Sequence, residues 1–278
     1  MRTIKKAAFI GMGALGILYG AMIYRKFGSE AITFLADAER IKRYRAQPPK
    51  FNGEVCGFTF CEPSKFEGYA DFLVFGVKAT ALQEAIEAVK PIVGPETIIL
   101  SLLNGISSEE IIEREIGCGT VVHCVAQGMA ARRTATSVVC KNQGVVCLGV
   151  PKSHPERAPA LEAVEAFFRD CGIHFVHEED IERRIWCKWM FNIGVNQVVA
   201  VVEGNFAGIQ HPGPARDRYI AAMQEVVELA QRLGVDVTQK DLEEYVRLGD
   251  TLDPEGMPSL RQDTLAQRHT EVDFFSGT

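Results

Sequence analysis

The sequence has no Cys-x-x-Cys pair, no internal repeat, no low-complexity tract and no long Gly/Ser linker. Its eight cysteines are even in number, but disulfide frameworks belong to short, loop-rich secreted chains, and this chain runs to 278 residues. The nearest approaches to a metal-ligand set are His123-Cys124 close to Cys118, and His174 with His177. Neither has the spacing of a zinc site, so no metal is expected. Reduced, mostly buried thiols in a cytoplasmic protein are the better reading. A basic surplus is missing too: 36 acidic residues stand against 30 Lys plus Arg, a formal net charge of −6. That argues against a general nucleic-acid binder and leaves room for a local basic pocket around a phosphorylated ligand. With 47% hydrophobic and 24% charged residues, neither a disordered nor a fibrous chain is indicated. Small-molecule chemistry is the first class to test.

Residues 7–24 carry no charge and follow Arg2, Lys5 and Lys6, the outline of a signal peptide or membrane anchor. Four glycines, Gly11, Gly13, Gly16 and Gly20, count against an uninterrupted spanning helix, and no small-x-small cleavage site follows. A strand at 7–10, a turn Gly11-Met12-Gly13-Ala14-Leu15-Gly16 and a helix over 17–27 account for that spacing, and no membrane segment is expected. In such a turn the first glycine permits the tight bend. The second admits a pyrophosphate against the backbone, and the third lets helix and strand pack closely. The helix N-terminus then offers free N–H groups and a favourable dipole to the phosphates.

Alone the turn is a weak signal; its context strengthens it. A second strand is expected at 31–36, ending at Asp37, where a dinucleotide fold reads the adenosine ribose. The reader is ambiguous. Asp37 suits the ribose hydroxyls of NAD(H), whereas Arg40, Lys42, Arg43 and Arg45 could neutralise the 2′-phosphate of NADP(H). The same basic run also fits a solvated helix face. Further strands are expected at 71–77, 97–103, 121–126 and 144–150, with helices at 79–89 and 107–115, the latter opened by a capping box Ser107-x-x-Glu110. Strands alternating with helices predict an α/β fold: an N-terminal Rossmann-type, doubly wound, mainly parallel sheet with its ligand crevice at the strand C-termini. Lys78 and Asn104 fall at such ends. Lys78 reads as a phosphate or ribose partner or as a surface lysine; Asn104-Gly105 reads as a pocket residue or as a plain turn.

Near residue 180 the strand signals stop. Helices are expected over 181–202, 214–233 and 260–275, so the chain divides into a dinucleotide-binding domain, 1–179, and an all-helical domain, 180–278. Lys188, Asn192 and Asn196 recur at i, i+4 and i+8 and stack on one face of the first of these helices, among apolar neighbours. Amides in apolar surroundings are costly unless bonded. The ridge is therefore a substrate pocket or a hydrogen-bonded seam between helices.

These motifs together resemble the ketopantoate reductase (2-dehydropantoate 2-reductase) family. The resemblance rests on Gly11, Gly13, Ala14 and Gly16 in the turn, Val77-Lys78-Ala79, Leu103-Asn104-Gly105 and Trp186-x-Lys188-x-x-x-Asn192-x-x-x-Asn196. It continues in Pro258-Ser259-x-x-Gln262-Asp263 and Arg268-x-Thr270-Glu271-Val272-Asp273, and so spans essentially the whole chain in the right order. It implies a Rossmann domain followed by a helical substrate and dimerisation domain, and reduction of ketopantoate to pantoate on the way to pantothenate and coenzyme A. It also implies NADP(H) as cofactor, a homodimer and a cytoplasmic location. It places Lys78 and Asn104 in the cofactor pocket, and Glu271 in the substrate pocket, orienting Lys188 or accepting from the substrate 4-hydroxyl; without the family, Glu271 reads as a surface acid. The chain departs from the family in three places. Asp37 stands where Arg is frequent, Gln197 stands where Pro is common, and family members run on for several helical turns past the position of Gly277.

Reduction of a 2-keto acid builds negative charge on the ketone oxygen, which must be neutralised and protonated. Lys188, protonated at neutral pH, is the expected general acid. Asn192, Asn196 and Ser259 are neutral groups suited to orienting carboxylate and hydroxyl. Two rival functions remain at this stage: a related dehydrogenase for a different keto or hydroxy acid, and a dinucleotide sensor without catalysis.

Overall fold

The computed structural model describes residues 3–278, so Arg2 of the basic N-terminal flank lies outside the described residues. The chain separates into two compact units, Met1–Ile181 and Glu182–Thr278. Among the described residues, no helix is long and apolar enough to cross a membrane.

The first unit runs β1 (Ala7–Ile10), α1 (Ala14–Phe27), β2 (Ile32–Leu35), α2 (Ala38–Ala46), β3 (Lys50–Phe51), β4 (Glu54–Val55), β5 (Thr59–Cys61) and β6 (Phe72–Phe75). It continues through α3 (Leu82–Val89), β7 (Ile98–Ser101), α4 (Ser108–Ile116), β8 (Thr120–Gln127), β9 (Ala130–Thr134), β10 (Ser137–Asn142), β11 (Val145–Gly149), α5 (Ala158–Cys171) and β12 (Phe175–His177). Eight strands form the main sheet in the order β12-β11-β8-β7-β6-β1-β2-β5. Neighbours are parallel except β8 and β11, which run antiparallel. The expected Rossmann-type sheet is thus present, and the strand order reverses at β1, which lies between β2 and β6. Every residue of β1, β6 and β7 is buried. That is why these strands read as continuous apolar runs rather than alternating ones: a parallel sheet is covered on both faces.

A second sheet, β4-β3-β10-β9, packs against α1 through β3, β9 and β10, with Phe51 and Val138 buried. The sequence carries no strand signal for it, because two of its strands are two residues long and β9 is almost wholly exposed. The expected capping box at Ser107 does not form: Ser107 makes no side-chain cap bond, and the hydroxyl used at that helix end is that of Ser108.

The second unit holds α6 (Ile181–Val201, its first residue closing the first unit), α7 (Ala207–Gln210), α8 (Pro214–Arg232), α9 (Gln239–Asp250), α10 (Ser259–Leu265) and α11 (Val272–Phe275). It is all-helical, as expected. Helices α6 and α8 meet at Gly194, where an added Cβ would lie 2.7 Å from Met223 and 2.8 Å from Tyr219. Phe191 of α6 packs edge-on against Tyr219, whose hydroxyl donates to the Tyr245 carbonyl of α9. The single helix expected over 260–275 is instead two short ones. Gln267 takes a positive φ of 51°, and the Arg268 guanidinium donates to the Asp263 carboxylate at 2.8 Å, which closes α10.

Candidate active site

The turn after β1 is shaped for something without side chains. Gly11 has φ of +99°, and a Cβ there would meet the backbone of Gly76 at 2.5 Å. At Gly13 a Cβ would press on the Gly76 carbonyl at 3.3 Å, and at Gly16 on the Gly11 carbonyl at 2.5 Å. The Gly76 amide donates to the Ile10 carbonyl at 2.8 Å, so the ends of β1 and β6 are locked together at the switch point. Gly76 belongs to this cradle and was not singled out from sequence; its signal was a glycine closing an apolar strand, Phe72–Phe75.

Helix α1 begins at Ala14, inside the motif rather than at residue 17, with Gly13 as N-cap. No side chain caps this end and its first turn carries no acid, so the amides of Ala14, Leu15 and Gly16 are presented to an anion. Met12 is buried beneath the turn. A backbone cradle that a Cβ would fill, at a helix N-terminus on the switch point of a parallel sheet, fits a dinucleotide pyrophosphate.

Asp37 stands two residues past the end of β2. It is the N-cap of α2: one carboxylate oxygen accepts from the Arg40 amide at 2.7 Å, and the other lies 3.3 Å from the Arg40 guanidinium Nε. Both side chains are more than half exposed. Asp37 and Arg40, read as rival selectors of the ribose end, are thus partners of one another. Lys78 is exposed and caps the turn after β6. Asn104 is half-buried in the turn after β7, followed by Gly105 with φ of 106°. The turns holding Gly11, Asp37, Lys78 and Asn104 all leave the C-terminal ends of β1, β2, β6 and β7.

In the second unit Lys188, Asn192 and Asn196 share α6, a continuous helix, so their shared face is real. Lys188 and Asn192 are half-buried and Asn196 is 5% exposed. Ser259 is exposed at the first residue of α10, and Glu271, half-buried, is the N-cap residue of α11. Gln197 on α6 donates to Ser276, which ties the segment after Glu271 to the helix of Lys188. The Gln262 amide donates to the Met257 carbonyl at 2.9 Å, and Asp263, 4% exposed, holds Arg268. These signature residues brace the stretch between Ser259 and Glu271.

Two family models match the chain: "Ketopantoate reductase PanE/ApbA" over residues 7–153 and "Ketopantoate reductase PanE/ApbA C terminal" over residues 180–278. A 2-dehydropantoate 2-reductase from Streptococcus pyogenes is 24% identical, over 96% of this chain and 87% of its own. D-mandelate dehydrogenase, solved with NADH and anilino(oxo)acetate, superposes with a TM-score of 0.86 at 21% identity, covering 98% of this chain and 89% of its own. The dimeric ketopantoate reductase from Staphylococcus aureus superposes at 0.80 and 17% identity, with the same coverage. The chain belongs to the ketopantoate reductase PanE/ApbA family, and it is an oxidoreductase.

Proposed function

We propose that the protein reduces 2-dehydropantoate to pantoate with a nicotinamide dinucleotide. The observation that carries this reading is the Gly11–Gly76 cradle at the N-terminus of α1, in a chain whose two units both match the family. The first unit holds the dinucleotide: Gly11, Met12, Gly13, Ala14, Leu15 and Gly16 take the pyrophosphate, Asp37 and Arg40 the adenosine ribose, and Lys78 and Asn104 the remainder. NADP(H) is the cofactor, through Arg40; Asp37 also admits NAD(H). What a reduced nicotinamide brings is a hydride for the C2 carbonyl carbon of the keto acid. Lys188 hydrogen-bonds the ketone oxygen and gives it a proton as negative charge grows there. Asn192, Asn196 and Ser259 orient the carboxylate and hydroxyl groups, and Glu271 orients Lys188 or accepts from the 4-hydroxyl. The second unit also carries the dimer contact. The location is cytoplasmic, in keeping with eight free cysteines.

A second reading has an observation of its own: the likeness in fold to D-mandelate dehydrogenase favours a different 2-keto acid. One experiment separates the two. Oxidation of NADPH and of NADH is followed with ketopantoate, pyruvate, 2-oxoisovalerate and benzoylformate in parallel. Ketopantoate is expected to give the highest kcat/KM. A higher value with another acid moves the assignment to that substrate, and dinucleotide binding without turnover on any acid sinks the catalytic reading.

A further inference from the structure

Glu109 lies in the first turn of α4 and is 4% exposed, and the function proposed above gives it no role. Burying a carboxyl costs several kcal/mol that an apolar side chain would not, and burial pushes its pKa up against the opposing effects of His123 and Ser108. The Ser108 hydroxyl donates to Glu109 Oε2 at 2.6 Å. Ser108 Oγ and Ser101 Oγ lie 2.8 Å apart, and the Leu103 amide donates to Ser101 Oγ at 3.4 Å. Ser101 and Ser108 are 0% and 1% exposed, so water does not compete for these bonds. The Ser101 carbonyl is held as well, by the Cys124 thiol at 2.9 Å.

The polarity of this string follows from proton counting. A serine hydroxyl has one proton. Ser108 spends its proton on Glu109, so it accepts from Ser101. Ser101 spends its proton on Ser108, so its oxygen is open to the Leu103 N–H. The three donors run one way, from the backbone next to Asn104 to a buried carboxyl, and a buried acceptor must sit at the end for each link to be satisfied.

We infer that Glu109 is a positioning residue: through Ser108 and Ser101 it fixes the 102–107 turn that presents Asn104 to the dinucleotide. The inference rests on the cofactor role proposed for Asn104. A bland alternative is that Glu109 acts only as a negative charge at the N-terminus of α4. The conservative variant separates them, because glutamine loses the charge and keeps an oxygen that accepts from Ser108.

The test compares the wild type with Ser101→Ala, Ser108→Ala, Glu109→Gln and Glu109→Leu. Two readouts are taken: amide hydrogen exchange at Leu103, and the Kd for NADPH and NADH by calorimetry. Ser101→Ala, Ser108→Ala and Glu109→Leu are expected to speed Leu103 exchange and weaken dinucleotide binding, each by about tenfold, the scale of a buried hydrogen bond. Saturating dinucleotide restores kcat to within about twofold, so the defect is in binding. Glu109→Gln stays near wild type in both. Unchanged Leu103 exchange in the two serine variants, or a Glu109→Gln as impaired as Glu109→Leu, overturns the inference. If the wild type binds neither dinucleotide, the proposed function fails while the exchange readout still decides the positioning role.

Discussion

At the scale of single residues, Asp37 shows how one side chain carries two duties. As N-cap of α2 it takes the Arg40 amide, and as an anion it faces the Arg40 guanidinium. The exposed ion pair is worth little by itself, whereas a cap is worth about 1 kcal/mol. Asparagine caps as well as aspartate, so Asp37→Asn should leave Tm unchanged. Removing a negative charge beside a 2′-phosphate should raise the NADPH:NADH ratio of kcat/KM by about five- to tenfold. Parallel kinetics with the two cofactors check this, and an unmoved ratio takes Asp37 out of the ribose site. Gly11 is constrained more severely. Alanine there would need a positive φ and would put its Cβ 2.5 Å from Gly76, so Gly11→Ala should cost about 3 kcal/mol or more, read as a fall in Tm. Lys188→Ala should lower kcat by about 10²–10⁴ as a lost general acid, with the dinucleotide Kd measured by calorimetry unchanged. A kcat within twofold of wild type would show that the proton comes from elsewhere.

At the scale of elements, the sequence was legible where one element carried its own signal. Strands β1, β6 and β7 announced themselves as apolar runs, and α1 and α6 by glycine spacing and length. It was illegible where a distant partner decides. Ser107-x-x-Glu110 looks like a capping box, yet Ser108 turns inward to Ser101 and Glu109 because the sheet end lies there. The stretch 260–275 looks like one helix, yet the Asp263–Arg268 pair closes it early. Helix α4 also offers a pH test. Burial pushes Glu113 up, but hydrogen bonds to His123 and Arg157 and their charges outweigh it and hold its pKa at about 2. A depressed folded pKa means stability that is complete above the unfolded value near 4.5 and is lost as the pH falls towards 2. Thermal unfolding should therefore show Tm falling through that window, with a shallower slope in Arg157→Met. Equal slopes would mean that the Arg157–Glu113 pair contributes nothing.

At the scale of the whole molecule, the division into a sheet-built unit and a helical unit was written locally. Alternating strand and helix periods, then their cessation near residue 180, require no long-range information, because burial on two faces of a parallel sheet and on one stripe of a helix leaves different repeats in the chain. The glycine turn, the Lys188–Asn192–Asn196 ridge and the separated family motifs were legible for the same reason: each lies within a few residues or a few helical turns. A homodimer is expected at this scale, and sedimentation at micromolar concentration should give twice the 30.7 kDa chain mass; a single-chain mass rules it out. Tertiary structure alone could bring Gly76 against Gly11, set the small four-stranded sheet on α1, turn β11 antiparallel to β8 and run a line of hydroxyls from Leu103 to Glu109. Those partners are as far as 88 residues apart, as Asn52 and Cys140 are in the small sheet. Which of many polar and glycine residues meet at such a distance depends on strand order and register, and these are settled only when the chain packs as a whole.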